Sequence, residues 1–245
     1  MRFLRQILRR TRPELEPGEV PGSVAIILDG NGRWAEQRGL PVEAGHREGT
    51  RALRRTVEAA IDLGIQSLTV YAFSTENWLR PPAEVDSLMG IFGETIDREL
   101  PDLAKQGVRT RFIGRRDRAP EELQARMAEL EHETAARDRL QLWIAFDYGG
   151  RAELADAARR MIAAKLTPQE VDEDVLAAYL YAPDMPDPDL VIRTSGELRI
   201  SNFLLWQLAY AELAFVDTLW PDFGEDDLRK GVAEYAGRRR RFGGR

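Results

Sequence analysis

Residues 24–34 read VAIILDGNGRW: five apolar residues, an acid, two glycines separated by an asparagine, then arginine and tryptophan. A short apolar run stopped by turn residues is the pattern of a strand buried on both faces, and such strands belong to parallel sheets. Ser67–Phe73, Arg109–Ile113, Leu140–Phe146, Leu190–Arg193 and Ala214–Leu219 repeat it. Between them lie segments of helical period: His46–Leu63, stopped at Gly64, then Pro81–Gln106, and residues 120–137, 150–165, 171–181 and 225–240. This alternation predicts an α/β fold, a single domain with a central, mostly parallel six-stranded sheet flanked by helices. Val85, Leu88, Met89, Phe92 and Ile96 share one face of a helix. No repeat or low-complexity linker interrupts residues 20–245, so these form one domain and residues 1–19 a basic, amphipathic N-terminal extension.

Charge is unevenly spread. The chain has 245 residues and a net charge of −6, yet residues 1–12 and 238–245 each carry five arginines and no acid. Positions 13–237 hold 25 basic against 41 acidic residues, a net −16. So acidic a body repels polyanions and argues against nucleic acid as a partner; an anion needs a local cationic pocket. The absence of cysteine excludes disulfides and thiolate metal sites, and two histidines exclude a multi-histidine centre. Carboxylates remain for a hard ion such as Mg²⁺. No apolar run is long enough to span a bilayer, and MRFLRQILRRTR is too interrupted by arginine for a signal peptide. Its Phe3, Leu4, Ile7 and Leu8 fall on one helical face. The expected location is the cytoplasm, with this segment either against the inner face of the membrane or a solubilising tail.

In a parallel sheet, ligands sit at the carboxyl ends of the strands. Asp29 ends the first strand, where an acid can hold a metal; Gly30 and Gly32 permit close backbone approach to a phosphate, and Arg33 adds charge. The stretch is neither a Walker A loop nor a dinucleotide fingerprint, and Asn31-Gly32 alone also reads as a simple turn. The second strand ends in YAFSTENWLRPP, residues 71–82, richer in hydroxyl, carboxylate, amide and guanidinium groups than a helix cap requires. The fifth ends in IRTSGELRISN, residues 192–202, whose Arg193 and Arg199 suit a diphosphate gripped from two sides. Glu212, in an apolar segment, is either paired, metal-bound or a strand-edge acid facing water. His46 opens a helix and either meets an anion there or caps it, while His132 reads as solvated.

Together VAIILDGNGRWA, the following AGH, LTVYAFSTENWLRP, DLVIRTSGELRISNFLLWQLAYAEL and LWPDF closely resemble the cis-prenyltransferases, in order, from Val24 to the Gly243-Gly244 tail. The trans-prenyl synthases carry Asp-Asp-x-x-Asp instead, and the Asp226-Asp227 pair here is followed by Leu-Arg-Lys. The resemblance implies a homodimeric, Mg²⁺-dependent enzyme that condenses isopentenyl diphosphate with an allylic diphosphate such as farnesyl diphosphate. The product is a polyprenyl diphosphate such as undecaprenyl diphosphate. The resemblance also implies that residues 20–245 are the catalytic domain and that its helices enclose a hydrophobic tunnel, with the face of Val85, Leu88, Met89, Phe92 and Ile96 reading equally as tunnel wall or as ordinary core. Asp29 then resembles the Mg²⁺-linked aspartate, and Gly30, Asn31, Gly32, Arg33, Trp34, His46 and Arg80 the allylic diphosphate and substrate grip. Ser74, Thr75, Glu76 and Trp78 line the same site, and Asn77 matches the proposed proton acceptor, with diphosphate oxygen or an Asp29-linked water as chemical alternatives. Arg193, Arg199, Ile200 and Ser201 resemble the isopentenyl diphosphate site, and Glu212 a second Mg²⁺ ligand contributed across the dimer. Arg241-Phe242-Gly243 matches the C-terminal Arg-x-Gly motif.

Three departures mark this sequence. Val42 replaces an arginine of most relatives, Leu198 a polar residue of several, and Phe146-Asp147 a smaller residue followed by Asn. Phe146 is expected to crowd the tunnel and Ala72 to leave room, so product length stays open between a long-chain and a short-chain cis-prenyl synthase. The reading from another class is a non-catalytic subunit that binds lipid diphosphate.

Overall fold

A computed structural model describes residues 19–238. The N-terminal amphipathic face and Arg241-Phe242-Gly243 lie outside the described residues. Six strands, β1 (Ser23–Ile27), β2 (Ser67–Ser74), β3 (Val108–Ile113), β4 (Leu140–Tyr148), β5 (Leu190–Arg193) and β6 (Glu212–Phe215), form one sheet in the order β3-β4-β2-β1-β5-β6. Every pairing is parallel, so the sheet is wholly rather than mostly parallel. β1 and β5 are buried along their whole length, as the apolar runs require.

The helices are α1 (Asn31–Glu36), α2 (Val42–Leu63), α3 (Pro82–Arg98), α4 (Leu100–Lys105), α5 (Glu121–Thr134), α6 (Gly150–Ala163), α7 (Glu173–Ala178) and α8 (Glu225–Gly237). Two apolar clusters cover the two faces. The larger joins Val24, Leu68 and Leu142 to residues of α2–α5 and α8; the smaller gathers Tyr71, Trp143, Tyr148 and Phe203. From β1 the chain winds outward through β2 on one flank, then crosses to β5 on the other. That reversal opens a crevice at the carboxyl ends of β1 and β5, the usual ligand position in such sheets.

Three sequence expectations shift. The single helix over Pro81–Gln106 breaks at Glu99, because Pro101 has no N–H to give and its ring crowds the carbonyl four residues back. The last strand starts at Glu212 and ends at Phe215 instead of spanning Ala214–Leu219. Ser195 and Gly196 turn with φ 76° and 73°, and their N–H groups reach back to the Thr218 and Val216 carbonyls, which takes residues 216–218 out of the ladder. α2 begins at Val42, so His46 stands more than a turn inside the helix and not at its opening.

Asp147 is fully buried in β4 with φ 45°, a conformation that Asn and Asp tolerate better than most residues. Both its carboxylate oxygens accept from Arg118, one through Nε at 2.9 Å, the other through the guanidinium tip. Arg118 also lies over the Trp78 ring, 5.0 Å from its centroid, and so ties the end of β4 to the 3₁₀ turn Thr75–Leu79. The departure at position 147 is thus matched by a counter-charge 29 residues upstream. Arg118→Ala strands a buried carboxylate and is expected to lower unfolding stability by about 3 kcal/mol in urea titrations. Combining it with Asp147→Asn should recover most of that loss.

Candidate active site

Asp29 is the first residue of the site. Its backbone N–H donates to the Thr194 hydroxyl at 2.8 Å, and Thr194 donates in turn to the Asp29 carbonyl at 2.6 Å, locking the ends of β1 and β5 together. One carboxylate oxygen accepts from Arg193 at 2.8 Å and the other from Arg33 at 3.2 Å. Burial pushes the Asp29 carboxyl upward, but Arg193, Ser195 and Arg33 outweigh it and hold the group below the usual carboxylate range. Arg193 is 4% exposed and also donates to Ser201 Oγ at 2.8 Å and to the Arg199 carbonyl, while its Nε has no partner among the described residues. Arg33 reaches Ser195 Oγ at 2.6 Å and its carbonyl at 3.2 Å, and lies 3.4 Å from Glu197.

α1 is seated by close packing. A Cβ at Gly45 would stand 2.1 Å from the Asn31 carbonyl oxygen, and one at Gly49 2.5 Å from Asn31 Oδ1. Gly30 turns with φ 111° against Leu219, whereas Gly32 faces open space. Trp34 donates through Nε1 to Asp222 at 2.7 Å, and Arg38 covers its ring at 4.2 Å while pairing with Asp222. Trp34 therefore anchors α1 to the Trp220–Asp222 turn.

At the end of β2, Ser74 and Asn77 form a reciprocal cap: the Ser74 N–H donates to Asn77 Oδ1 at 2.9 Å and the Asn77 N–H returns to the serine side chain. One acceptor position of the Asn77 oxygen is thereby used, while its second lone pair and its NH₂ group remain to offer. Glu76 accepts from Asn202 at 2.9 Å and from Thr75 at 3.1 Å; burial raises its carboxyl, but these bonds bring it below its ordinary value.

These strand ends open into a cavity of about 330 Å³. Asp29, Asn31, His46, Ser74, Asn77, Arg80, Arg193 and Arg199 line its polar end; Leu53, Phe73, Leu88, Phe92, Ile96 and Leu100 line the rest. The candidate tunnel face thus divides: Leu88, Phe92 and Ile96 reach the cavity, whereas Val85 and Met89 are packed core. Ala72 lines the cavity, but Phe146 stands behind it, stacked on Phe73 at 5.5 Å and edge-on to Phe92 at 5.0 Å. Gly30, Gly32, Arg33, Trp34, Thr75, Glu76, Trp78, Ile200 and Ser201 are not in the lining. Arg33, Trp34, Thr75, Glu76, Trp78 and Ser201 hold neighbouring residues. Val42 and Leu198 are exposed, and nothing in their surroundings explains the replacements. Sequence reasoning missed Thr194, Ser195, Asn202 and Asp222 as positioning residues; the first three lie in the quoted strand-end stretch, and Asp222 lies in LWPDF.

Glu212 is elsewhere. It pairs with Arg238 at 3.0 Å and, opposite Leu190, lies at the amino end of β6, about 16 Å from Asp29 along the strand direction at a strand's rise per residue. Among the described residues no three acidic or histidine side chains cluster as a metal site. No described helix is long and apolar enough to cross a membrane.

An arginine-lined crevice at parallel strand ends, continuous with an apolar cavity, suits a molecule with a charged head and a hydrocarbon tail. A family profile described as putative undecaprenyl diphosphate synthase matches residues 27–243. The chain is 51% identical over 228 residues to the farnesyl-diphosphate-specific ditrans,polycis-undecaprenyl-diphosphate synthase of Xanthomonas axonopodis pv. citri, covering 91% of this chain and 89% of that one. It is 49% identical to an isoprenyl transferase of Thermotoga maritima, covering 92% and 97%. Among solved structures, lavandulyl diphosphate synthase from Lavandula x intermedia, in complex with dimethylallyl diphosphate, superposes with a TM-score of 0.89 at 38% identity, over 93% of this chain and all of that one. A probable undecaprenyl diphosphate synthase from Campylobacter jejuni gives 0.76 at 32%, over 91% and 98%. The chain belongs to the undecaprenyl diphosphate synthase family and is a prenyltransferase of the cis type.

Two measurements test this geometry. Burial first, then the nearby Arg80 charge, push the His46 imidazole down to about 4, so it is neutral at pH 7. The unfolded chain takes up a proton near pH 6.5 and the folded one only near pH 4, so His46 should erode stability as pH falls through that window. His46→Gln should flatten the stability profile there, and the titrating NMR signal it removes should have a midpoint near 4. Gly45→Ala must displace α1 and is expected to lower stability by about 2 kcal/mol, with turnover falling further than thermal denaturation accounts for.

Proposed function

We propose that the chain condenses isopentenyl diphosphate onto farnesyl diphosphate and repeats the addition to undecaprenyl diphosphate, with a divalent ion as cofactor. The observation that carries this reading is the continuity of the Asp29–Arg193 crevice with a cavity whose far end is hydrocarbon-lined. In each cycle the allylic C–O bond breaks and its electron pair leaves on the diphosphate oxygen. The π pair of isopentenyl diphosphate forms the new C–C bond, and a proton departs from the adjacent carbon.

Asn31, His46 and Arg80 hold the allylic diphosphate, with Gly30, Gly32, Arg33 and Trp34 setting the position of α1; Arg193 and Arg199, set by Ile200 and Ser201, take the isopentenyl diphosphate. Arginine donors placed at the leaving oxygens stabilise the charge that develops as the bond breaks. An amide is a weak base, and the Asn77 oxygen already accepts the Ser74 N–H; Asn77 therefore orients substrate, and the proton leaves on a diphosphate oxygen.

Among the described residues, Asp29 is the only acidic side chain lining the cavity. A single carboxylate completed by substrate phosphate oxygens is a donor set that suits Mg²⁺. When bound, the ion would neutralise the departing diphosphate. Glu212 cannot join Asp29 within one chain, so a role for it in metal binding requires a homodimer in which the partner supplies it. Residues 1–12 would bring the site to anionic lipid, where so apolar a product leaves.

A second reading is a short-chain cis-prenyl synthase, favoured by the packed Phe73–Phe92–Phe146 cluster beside the cavity and by the 0.89 superposition on lavandulyl diphosphate synthase. Incubation with Mg²⁺, farnesyl diphosphate and labelled isopentenyl diphosphate, read by product mass, separates the two. The expected product has eight added units, while arrest after two or three establishes the short-chain reading. Asp29→Ala is expected to lower turnover by about a thousandfold, and a chelator to abolish it. No turnover by the parent protein would leave a non-catalytic lipid-diphosphate subunit.

A further inference from the structure

In a body this acidic, a second arginine-lined recess stands out at the opposite side of the sheet. β3 is the outermost strand there, and a cleft of about 340 Å³ beside it is lined by Arg109, Arg111, Arg116, Glu131, Trp143 and Tyr181, among others. Arg109 and Arg111 alternate with Thr110 and so share one face, and Arg111 is in register with Trp143 on β4.

The donors and acceptors do not balance. Arg116 is spent on Glu131, at 2.7 and 2.8 Å, and on the Phe112 carbonyl at 2.8 Å. Arg111 pairs with Asp184 and stacks on Trp143, 4.1 Å from the ring centroid. The Arg109 guanidinium makes no hydrogen bond or ion pair among the described residues, and its Nε is buried without a partner. The indole N–H of Trp143, a residue with no exposed surface, is equally unpartnered. On the acceptor side Glu131 already takes Arg116 on both oxygens and the Phe112 N–H on Oε1 at 2.8 Å, and the Tyr181 hydroxyl is turned to Asp156. Asp184, already paired with Arg111, also feels the Arg109 charge, so two carboxylates, Asp184 and Glu131, answer three arginines, and the cleft keeps spare donors and a net positive charge. What it lacks is a further acceptor carrying negative charge.

Protection of a bare sheet edge does not account for this. The edge N–H groups of Thr110 and Phe112 already donate to Thr134 Oγ1, at 3.0 Å, and to Glu131, so α5 closes the edge against strand addition. An edge guard also has no use for orphaned donors beneath the surface.

We propose that this cleft binds a phosphate group, with Arg109 as its principal ligand and the free donors of Arg111 and the Trp143 N–H as the others. It is distinct from the substrate crevice, which lies three strands away at β1 and β5. The two recesses share one wall, Phe112, so an anion in the cleft sits one side chain from the apolar cavity.

NMR of the full chain tests it. On titration with inorganic phosphate or diphosphate, the Trp143 indole signal, identified by its loss in Trp143→Phe, and the Arg109 Nε–H signal should shift and saturate together. Arg109→Gln should weaken that response at least about tenfold while leaving the shifts of Trp34 and Trp220 at the substrate crevice intact. It should also leave the prenyl-transfer rate within about twofold of the parent, which separates this site from the proposed reaction. Flotation with phosphatidylglycerol vesicles, against phosphatidylcholine alone, names the source. Loss of flotation in Arg109→Gln assigns a lipid headgroup, and unchanged flotation with the soluble response lost assigns a free anion. A Trp143 signal that ignores phosphate, or responds equally in Arg109→Gln, overturns the proposal.

Discussion

A guanidinium at the last residue of a buried strand is the constraint from which the site follows. Arg193 is almost wholly withdrawn from water, and a desolvated cation is tolerable only when it is neutralised and its donors are occupied. Asp29 supplies the charge from the end of β1, while Ser201 and the Arg199 carbonyl supply acceptors from the loop beyond β5. Meeting these demands folds residues 194–204 back over the strand ends, with Ser195, Ser201, Asn202 and Leu204 all at positive φ. The strain of those residues is offset by the burial they permit. Among the described residues the Nε of Arg193 stays without a partner, so the pair is satisfied enough to fold yet leaves one buried donor unused.

The head and tail of the cavity are made by different means. Its polar end is built from strand termini, where side chains from β1, β2 and β5 converge because parallel strands all finish on one side. Its apolar end is built from one face of α3 against β2, β3 and β4, through Leu88, Phe92, Phe112 and Ile144. His46 stands at the junction, neutral because the same burial that excludes water from the tail disfavours its charged form. Positive charge is therefore confined to the arginines, whose pKa no such burial overcomes.

The parts of this architecture legible in the amino-acid order are those set by local pattern. β1, β2 and β5 were readable because strands buried on both faces carry unbroken apolar runs, and the site's place followed from the direction of the strands. What the order concealed depends on distant partners. Val85 and Met89 share a helical face with Leu88 and Phe92, and only the tilt of α3 over the sheet decides which of them meet the cavity. Asp147 reads as an isolated replacement until Arg118 is found beside it. Asp222 looks like the tail of an aromatic turn, yet it holds Trp34 and Arg38 from 188 and 184 residues away. For Glu212 the apolar stretch leaves pairing, metal binding and a strand-edge position open; β6 is an edge strand, and the acid pairs with Arg238 partly in water.

The amide of Asn77 shows how a fold narrows what a side chain can offer. An amide oxygen is a weak base in any setting, and here it is further reduced by accepting the Ser74 N–H in a cap that holds the 3₁₀ turn in shape. Withdrawing it to take a proton would open that turn, shift Trp78 from beneath Arg118 and loosen the end of β4. The NH₂ group carries no such obligation, and Asn77 lines the same cavity. A residue whose acceptor is shared with the protein serves a substrate better as a donor. In the proposed reaction the most negative acceptor for the departing proton is then a diphosphate oxygen.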